Sequence, residues 1–119
     1  TGKPHGGRVE IEIATAKLQK TLATEHDRVR AYGQPAAKAL GRRLTQLHAA
    51  QNLEAVRTLP GGCHELKGDR KGQLAVEVTK GLRVVFRPTE HYPPSKDDGG
   101  LDWSAVTAIT VLEVTDYHG

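Results

Sequence analysis

Apolar and polar positions along the chain change period several times, and each change marks an element. Val9, Ile11 and Ile13 alternate with Glu10 and Glu12, a period of two that predicts a half-buried strand over residues 9–13. Leu18, Leu22, Glu25, Val29 and Tyr32 then fall at helical spacing, with charged residues between them. Gly33 stops this helix and Pro35 suits the first turn of the next, which carries Ala37, Leu40, Leu44 and Leu47 on one side. The short link predicts a helical hairpin. Asn52 caps a brief third helix with Leu53 and Val56, ended by Pro60-Gly61-Gly62.

Beyond Gly62 the pattern turns to strand. Leu74, Val76 and Val78 alternate with Gln73, Ala75 and Glu77 over residues 73–78, and Lys80-Gly81 offers a tight turn. Residues 82–86 form a second strand that is apolar on both sides except for Arg83, whose side chain shares a face with Val85. Residues 106–114 form a third, with Val106, Ala108, Thr110, Leu112 and Val114 on one side and Ile109 and Val111 on the other. Residues 88–102 between them are rich in Pro, Gly and Asp and read as a long loop. Strand, two helices and three strands predict an α+β fold, an antiparallel sheet with an N-terminal helical hairpin on one face.

Composition narrows the class. The 119 residues suit one domain, residues 1–119, with residues 1–7 expected to be flexible. The chain holds no methionine even at its start, so its first residues are expected to be a remnant or a processed end. No apolar run is long enough for a membrane helix and no secretory pattern is present, so no membrane association is expected. The single Cys63 forms no internal disulfide, which suits a reducing compartment and predicts a cytoplasmic protein.

The net charge of +3 is unevenly placed. Residues 64–87 hold six cations, Lys67, Arg70, Lys71, Lys80, Arg83 and Arg87, against three anions, Glu65, Asp69 and Glu77. The remainder of the chain holds eleven of each sign. An excess confined to one segment is the footprint of a phosphate-facing surface. The stretch from His64 to Gly72 offers cations and glycines that allow backbone to approach an anion, and it equally fits a solvated turn. Arg83 inside a strand calls for a carboxylate partner or an anion on the sheet surface. Asp116-Tyr117-His118 offers a base-stacking ring and a proton shuttle, or is simply a tail. Trp103, at the opening of the last strand, is expected to anchor the core. Cys63-His64 lacks the further spaced ligands of a zinc site, and Asp97, Asp98 and Asp102 lack calcium-loop spacing, so no metal is expected. A triphosphate-binding glycine loop and a serine nucleophile elbow are missing as well.

Three stretches together resemble the RelE/ParE toxin superfamily, and within it the HigB branch. They are Leu59-Pro-Gly-Gly-Cys-His-Glu-Leu-Lys-Gly-Asp-Arg-Lys-Gly72, Leu82-Arg-Val-Val-Phe86 and Val114-Thr-Asp-Tyr-His118. The resemblance runs from about Leu40 to His118. It implies the toxin of a type II toxin–antitoxin system, a ribosome-dependent endoribonuclease that cuts mRNA in the decoding site. The implied reaction uses no metal or cofactor: the RNA 2′-hydroxyl attacks the adjacent phosphate and leaves a cyclic phosphate. Implied partners are a HigA-like helix-turn-helix antitoxin, the 70S ribosome and mRNA, with operator DNA reached only through the antitoxin complex. Residue by residue, Lys67 matches a phosphate-facing or proton-handling lysine and Arg83 the arginine that steadies the transition-state phosphate. Tyr117 matches an aromatic near the reacting nucleotide, and His118 an acid/base histidine. Arg70, Lys71, His64 and Arg87 are expected to bind RNA, His64 being a secondary catalytic candidate. The chain departs from the family where many members carry an aromatic and it has Leu74-Ala75. Two alternatives stay open: a non-catalytic gyrase-inhibiting toxin of the ParE branch, and a decayed RNA-binding domain of the same fold.

Overall fold

In the computed structural model, residues 8–116 are described. The expectations for residues 1–7 and for Tyr117 and His118 lie outside them. The chain opens with strand β1 (Glu10–Ile13) and continues through helices α1 (Ala16–Ala23), α2 (Glu25–Tyr32), α3 (Gln34–Ala49) and α4 (Leu53–Val56). Strands β2 (His64–Glu65), β3 (Leu74–Thr79), β4 (Leu82–Pro88) and β5 (Ala108–Asp116) complete it, with one-turn 3₁₀ segments at Gly68–Arg70 and Trp103–Ala105.

Local chemistry sets the helix boundaries. The Thr15 hydroxyl accepts from the Leu18 N–H and starts α1. The periodicity of residues 18–32 predicts one helix, but two are present. Thr24 sits extended between them, and its hydroxyl accepts from the Asp27 N–H to cap α2. Arg28 reaches back to the Leu22 carbonyl, which is left open at the end of α1. Gly33, at φ 85°, ends α2 with its N–H on the Val29 carbonyl, and Pro35 follows in the first turn of α3. The Asn52 side chain accepts from the Ala55 N–H and caps α4.

The five strands form one sheet in the order β1-β5-β4-β3-β2. It is mixed rather than wholly antiparallel, because β1 runs parallel to β5, with Ile11 beside Ile109 and Ile13 beside Val111. Alternation along the strands sends Leu74, Val76, Val78, Val84, Phe86, Ile109 and Val111 toward the helices. There they meet Leu22, Leu40, Leu47, Leu53 and Val56 in a single core. Each fully buried Leu or Phe of this core contributes about 1.5–3 kcal/mol.

The last strand starts at Ala108, not Val106, and its two faces do not alternate as one period. A bulge between Val85 and Phe86 sets Phe86 opposite Val111 and Val85 opposite Glu113. One extra residue, Leu112, is absorbed there, so Val114 returns to the core side and Glu113 turns to the other. Trp103 is 4% exposed, a core anchor as expected, but it sits in a 3₁₀ turn ahead of the strand. Residues 88–102 are not featureless: Ser95 and Leu101 form a β-bridge, and Asp102 N–H donates to the Pro94 carbonyl. No helix among the described residues is long and apolar enough to cross a membrane.

Candidate functional site

The helices cover one face of the sheet, and register decides what stands on the other. His64 pairs with Ala75, Ala75 with Val85, and Val85 with Glu113, so these four share the face away from the helices. Two residues along, Glu77 faces Arg83, and Arg83 faces Thr115. The small, buried Ala75 and Val85 form a floor between the polar residues. The loop after β2 folds over this floor through Arg70, whose guanidinium makes an ion pair with the Glu113 carboxylate and donates to Gln73.

Beside that strap lies a cavity of about 320 Å³ lined by Gly61, Gly62, His64, Ala75, Glu77 and Arg83. Its rim depends on Gly61. The Gly61 carbonyl accepts from the Glu77 N–H, and Gly61 holds φ +111° so close to β3 that a Cβ there would lie 2.6 Å from the Glu77 carbonyl oxygen. Arg43 of α3 donates to the same Glu77 carbonyl at 3.0 Å. Burial, then Arg42, lowers the pKa of Arg43 from its ordinary value, while Glu77 opposes them.

His64 stands on the cavity wall with a defined ring orientation. Its Nδ1 lies 2.9 Å from the Gly62 carbonyl oxygen. A carbonyl only accepts, so Nδ1 carries the proton, and in the neutral ring Nε2 holds the lone pair. Arg83 stands two strands away, about 10 Å across the sheet, directly opposite Glu77 in register. An imidazole and a guanidinium thus line one open pocket, with the Glu77 carboxylate opposite the guanidinium, so the pocket holds a group that can move a proton and one that can meet an anion. Burial pushes the Cys63 thiol up to about 12, with Arg57 opposing and Glu65 assisting, which keeps it protonated beside His64.

The other predicted residues are placed unequally. Lys67 is exposed at the head of the 3₁₀ loop and does not line the cavity. Arg70 is on the right face but committed to Glu113. Lys71 lines a second cavity of about 260 Å³, formed with Pro93, Ser95 and Leu101 of the long loop. Arg87 is exposed on β4 and donates to the carbonyls of Pro88 and Thr89. Tyr117 and His118 lie outside the described residues, which end at Asp116, paired with Leu82. Glu77 and Glu113 were not anticipated as site residues. The face that the cations of residues 64–87 suggested to be basic carries both signs, because Glu113 arrives from β5. Among the described residues no three His, Cys, Asp or Glu gather where they could hold a metal ion.

A mixed five-stranded sheet, helices on one face and a His–Arg–Glu pocket on the other define a small α+β class, and solved toxins share this fold. A YoeB/ParE toxin from Agrobacterium tumefaciens superposes with a TM-score of 0.53 at 12% identity, over 92% of this chain and 100% of the other. The YoeB–YefM toxin–antitoxin heterotetramer from Staphylococcus aureus gives 0.52 at 12% identity, over 94% and 99%. The Staphylococcus aureus YoeB dimer gives 0.50 at 13%, also over 94% and 99%. The RelE/ParE resemblance in the sequence is therefore met at the level of fold. The sequence matches no protein-family profile and no curated protein.

Proposed function

We propose that this chain is the toxin of a type II toxin–antitoxin pair and acts as a HigB-like endoribonuclease on mRNA in the ribosomal decoding site. The observation that carries the reading is the pocket on the sheet face away from the helices, which His64 and Arg83 both line. In this reading His64 Nε2 takes the proton from the RNA 2′-hydroxyl as that oxygen attacks the adjacent phosphorus. Arg83 holds the equatorial oxygens as negative charge grows on them. The 5′-oxygen leaves on the far side and takes a proton from Lys67 or His118, while Tyr117 stacks on a base at the cut. The products are a cyclic phosphate and a 5′-hydroxyl end.

Lys71 and Arg87, both exposed, bind RNA phosphates, and Arg70 does so only to the extent that it leaves Glu113. The partners are the ribosome, its message and a cognate antitoxin, HigA-like, that carries the operator-binding function. A cytoplasmic location follows from those partners.

The test is induction of the wild type and of the His64→Ala, Lys67→Ala, Arg83→Ala and His118→Ala variants, with 5′ ends mapped on a translated message. The wild type is expected to create new ends within codons, and the His64 and Arg83 variants to lose them. Growth arrest with DNA damage and no new mRNA ends would replace the nuclease by a gyrase inhibitor of the ParE branch. Arrest that survives all four substitutions would remove these residues from the site.

A further inference from the structure

One residue outside the pocket, Trp103, reaches the strand that carries His64. Trp103 is buried in its 3₁₀ turn, and its indole N–H donates to the Glu65 carboxylate at 2.8 Å. The guanidinium of Arg57 lies over the indole, 3.7 Å from the ring centroid, and is itself held by Glu54 at 3.0 Å. The turn is fixed to α4 by the Leu53 N–H on the Val106 carbonyl. Trp103 is therefore a rigid donor, gripped from the core and from its open face.

Glu65 is the only neighbour of His64 within β2, which is two residues long and stands at the edge of the sheet. An edge strand is hydrogen-bonded to a neighbouring strand on one side only. Successive side chains in a strand point to opposite faces. Anchoring Glu65 on the helix side consequently fixes where His64 points on the pocket side, and so whether its Nδ1 meets the Gly62 carbonyl.

We propose that Glu65 and Trp103 are positioning residues: their hydrogen bond stops β2 from rolling and holds His64 with Nδ1 on Gly62 and Nε2 toward the cavity. The proposal rests on the reading of His64 as the base, but its first readout does not. An imidazole that loses its carbonyl acceptor reverts toward the Nε2–H form that free histidine favours.

The experiment is nitrogen NMR of the ¹⁵N-histidine-labelled full chain, with His64 assigned by a His64→Ala variant, alongside cleavage of a defined message on translating ribosomes. Glu65→Ala and Trp103→Phe are compared with the wild type, and Glu65→Gln, whose amide oxygen still accepts, serves as the rescue. Glu65 is exposed, so Glu65→Ala remains informative if Trp103→Phe does not fold. Expected are an Nδ1–H form in the wild type and in Glu65→Gln, and a shift to Nε2–H in the other two. Their cleavage rate constant should fall about tenfold with little change in KM, as loss of one charge-assisted hydrogen bond implies. Glu65→Ala and Trp103→Phe combined should fall no further than either alone. An unchanged His64 tautomer in Glu65→Ala overturns the proposal. A tautomer that shifts in a chain that cuts no message supports the positioning role and refutes the nuclease reading.

Discussion

Replacing Gly61 by alanine tests how the cavity rim is built, and Gly62 next to it supplies the control. Both glycines have positive φ, +111° and +59°. An L residue in that region costs about 1–2 kcal/mol. At Gly62 the cost ends there, since nothing lies within 4 Å of an added Cβ. At Gly61 the Cβ would sit 2.6 Å from the Glu77 carbonyl oxygen and 2.7 Å from Val76 Cγ2, with Arg43 Nε at 3.3 Å. The first is backbone of a sheet strand and cannot swing aside. Relief means moving the loop off β3, which breaks the 2.9 Å bond from the Glu77 N–H to the Gly61 carbonyl, a net loss of about 1 kcal/mol. Crowding against Val76 adds about 1–3 kcal/mol more. Gly61→Ala should thus cost about 3–6 kcal/mol and Gly62→Ala about 1–2 kcal/mol. Equilibrium unfolding in urea measures both, with unchanged m-values showing that the same structure unfolds. Two variants within about 0.5 kcal/mol of each other, less than a typical single mutation costs, would refute the packing described for this rim.

Arg83→Ala should lower RNA cleavage by about 10²–10³, and Arg83→Lys should not restore it, because a point charge lacks the planar fork; cleavage time courses on translating ribosomes decide this. The salt dependence of RNA binding should flatten on Lys71→Ala or Arg87→Ala, and less on Arg70→Ala, since Arg70 already faces Glu113; equal changes in slope would show that the ion pair opens on binding. That pair is about two-fifths exposed on each side, 41% and 38%, so a double-mutant cycle for Arg70 and Glu113 should give under about 1 kcal/mol. The Cys63 thiol is raised from 9.0 to about 12 by burial. The folded chain keeps this proton where the unfolded chain has lost it, so the contribution of Cys63 to stability is full below about pH 9 and is lost as pH rises toward about 12. Cys63→Ala should remove that part of the alkaline decline in denaturant titrations, and a decline that persists unaltered would contradict it.

What the sequence revealed follows the range of the forces involved. The turn at Lys80-Gly81, the caps at Gly33 and Asn52 and the core faces of β3 and β4 are written in adjacent residues, and each is found where its local signal stands. The break at Thr24 escaped because Leu18, Leu22, Val29 and Tyr32 keep helical spacing across it. Its signal was the capping Thr24 with Glu25 and Asp27 behind it. The parallel partner of β1 is about a hundred residues away in the chain, and no local pattern encodes that choice. β2 is too short to show a period. The bulge at Leu112 turns Glu113 outward against the alternation around it, which hid the carboxylate that meets Arg70.

The candidate site was legible in part for the same reason. Arg83 stood out as a cation within an apolar strand, and it lines the cavity. His64 ranked behind Lys67 in the sequence, but the loop at Gly61-Gly62 and the pairing with Ala75 bring His64 to the cavity and leave Lys67 off its lining. Glu77 was visible as the polar member of an alternating strand. Its place opposite Arg83 depends on the register shift between Glu77 and Thr79, which turn length alone does not give.

The proposed nuclease activity is tested most directly by the chemistry of the ends left on a defined message by the purified chain and translating ribosomes. Expected are an upstream fragment with a 2′,3′-cyclic phosphate and a downstream fragment with a 5′-hydroxyl, both abolished by His64→Ala and by Arg83→Ala in chains that remain folded. An uncut message, or cleavage at an undiminished rate in both variants, would contradict it.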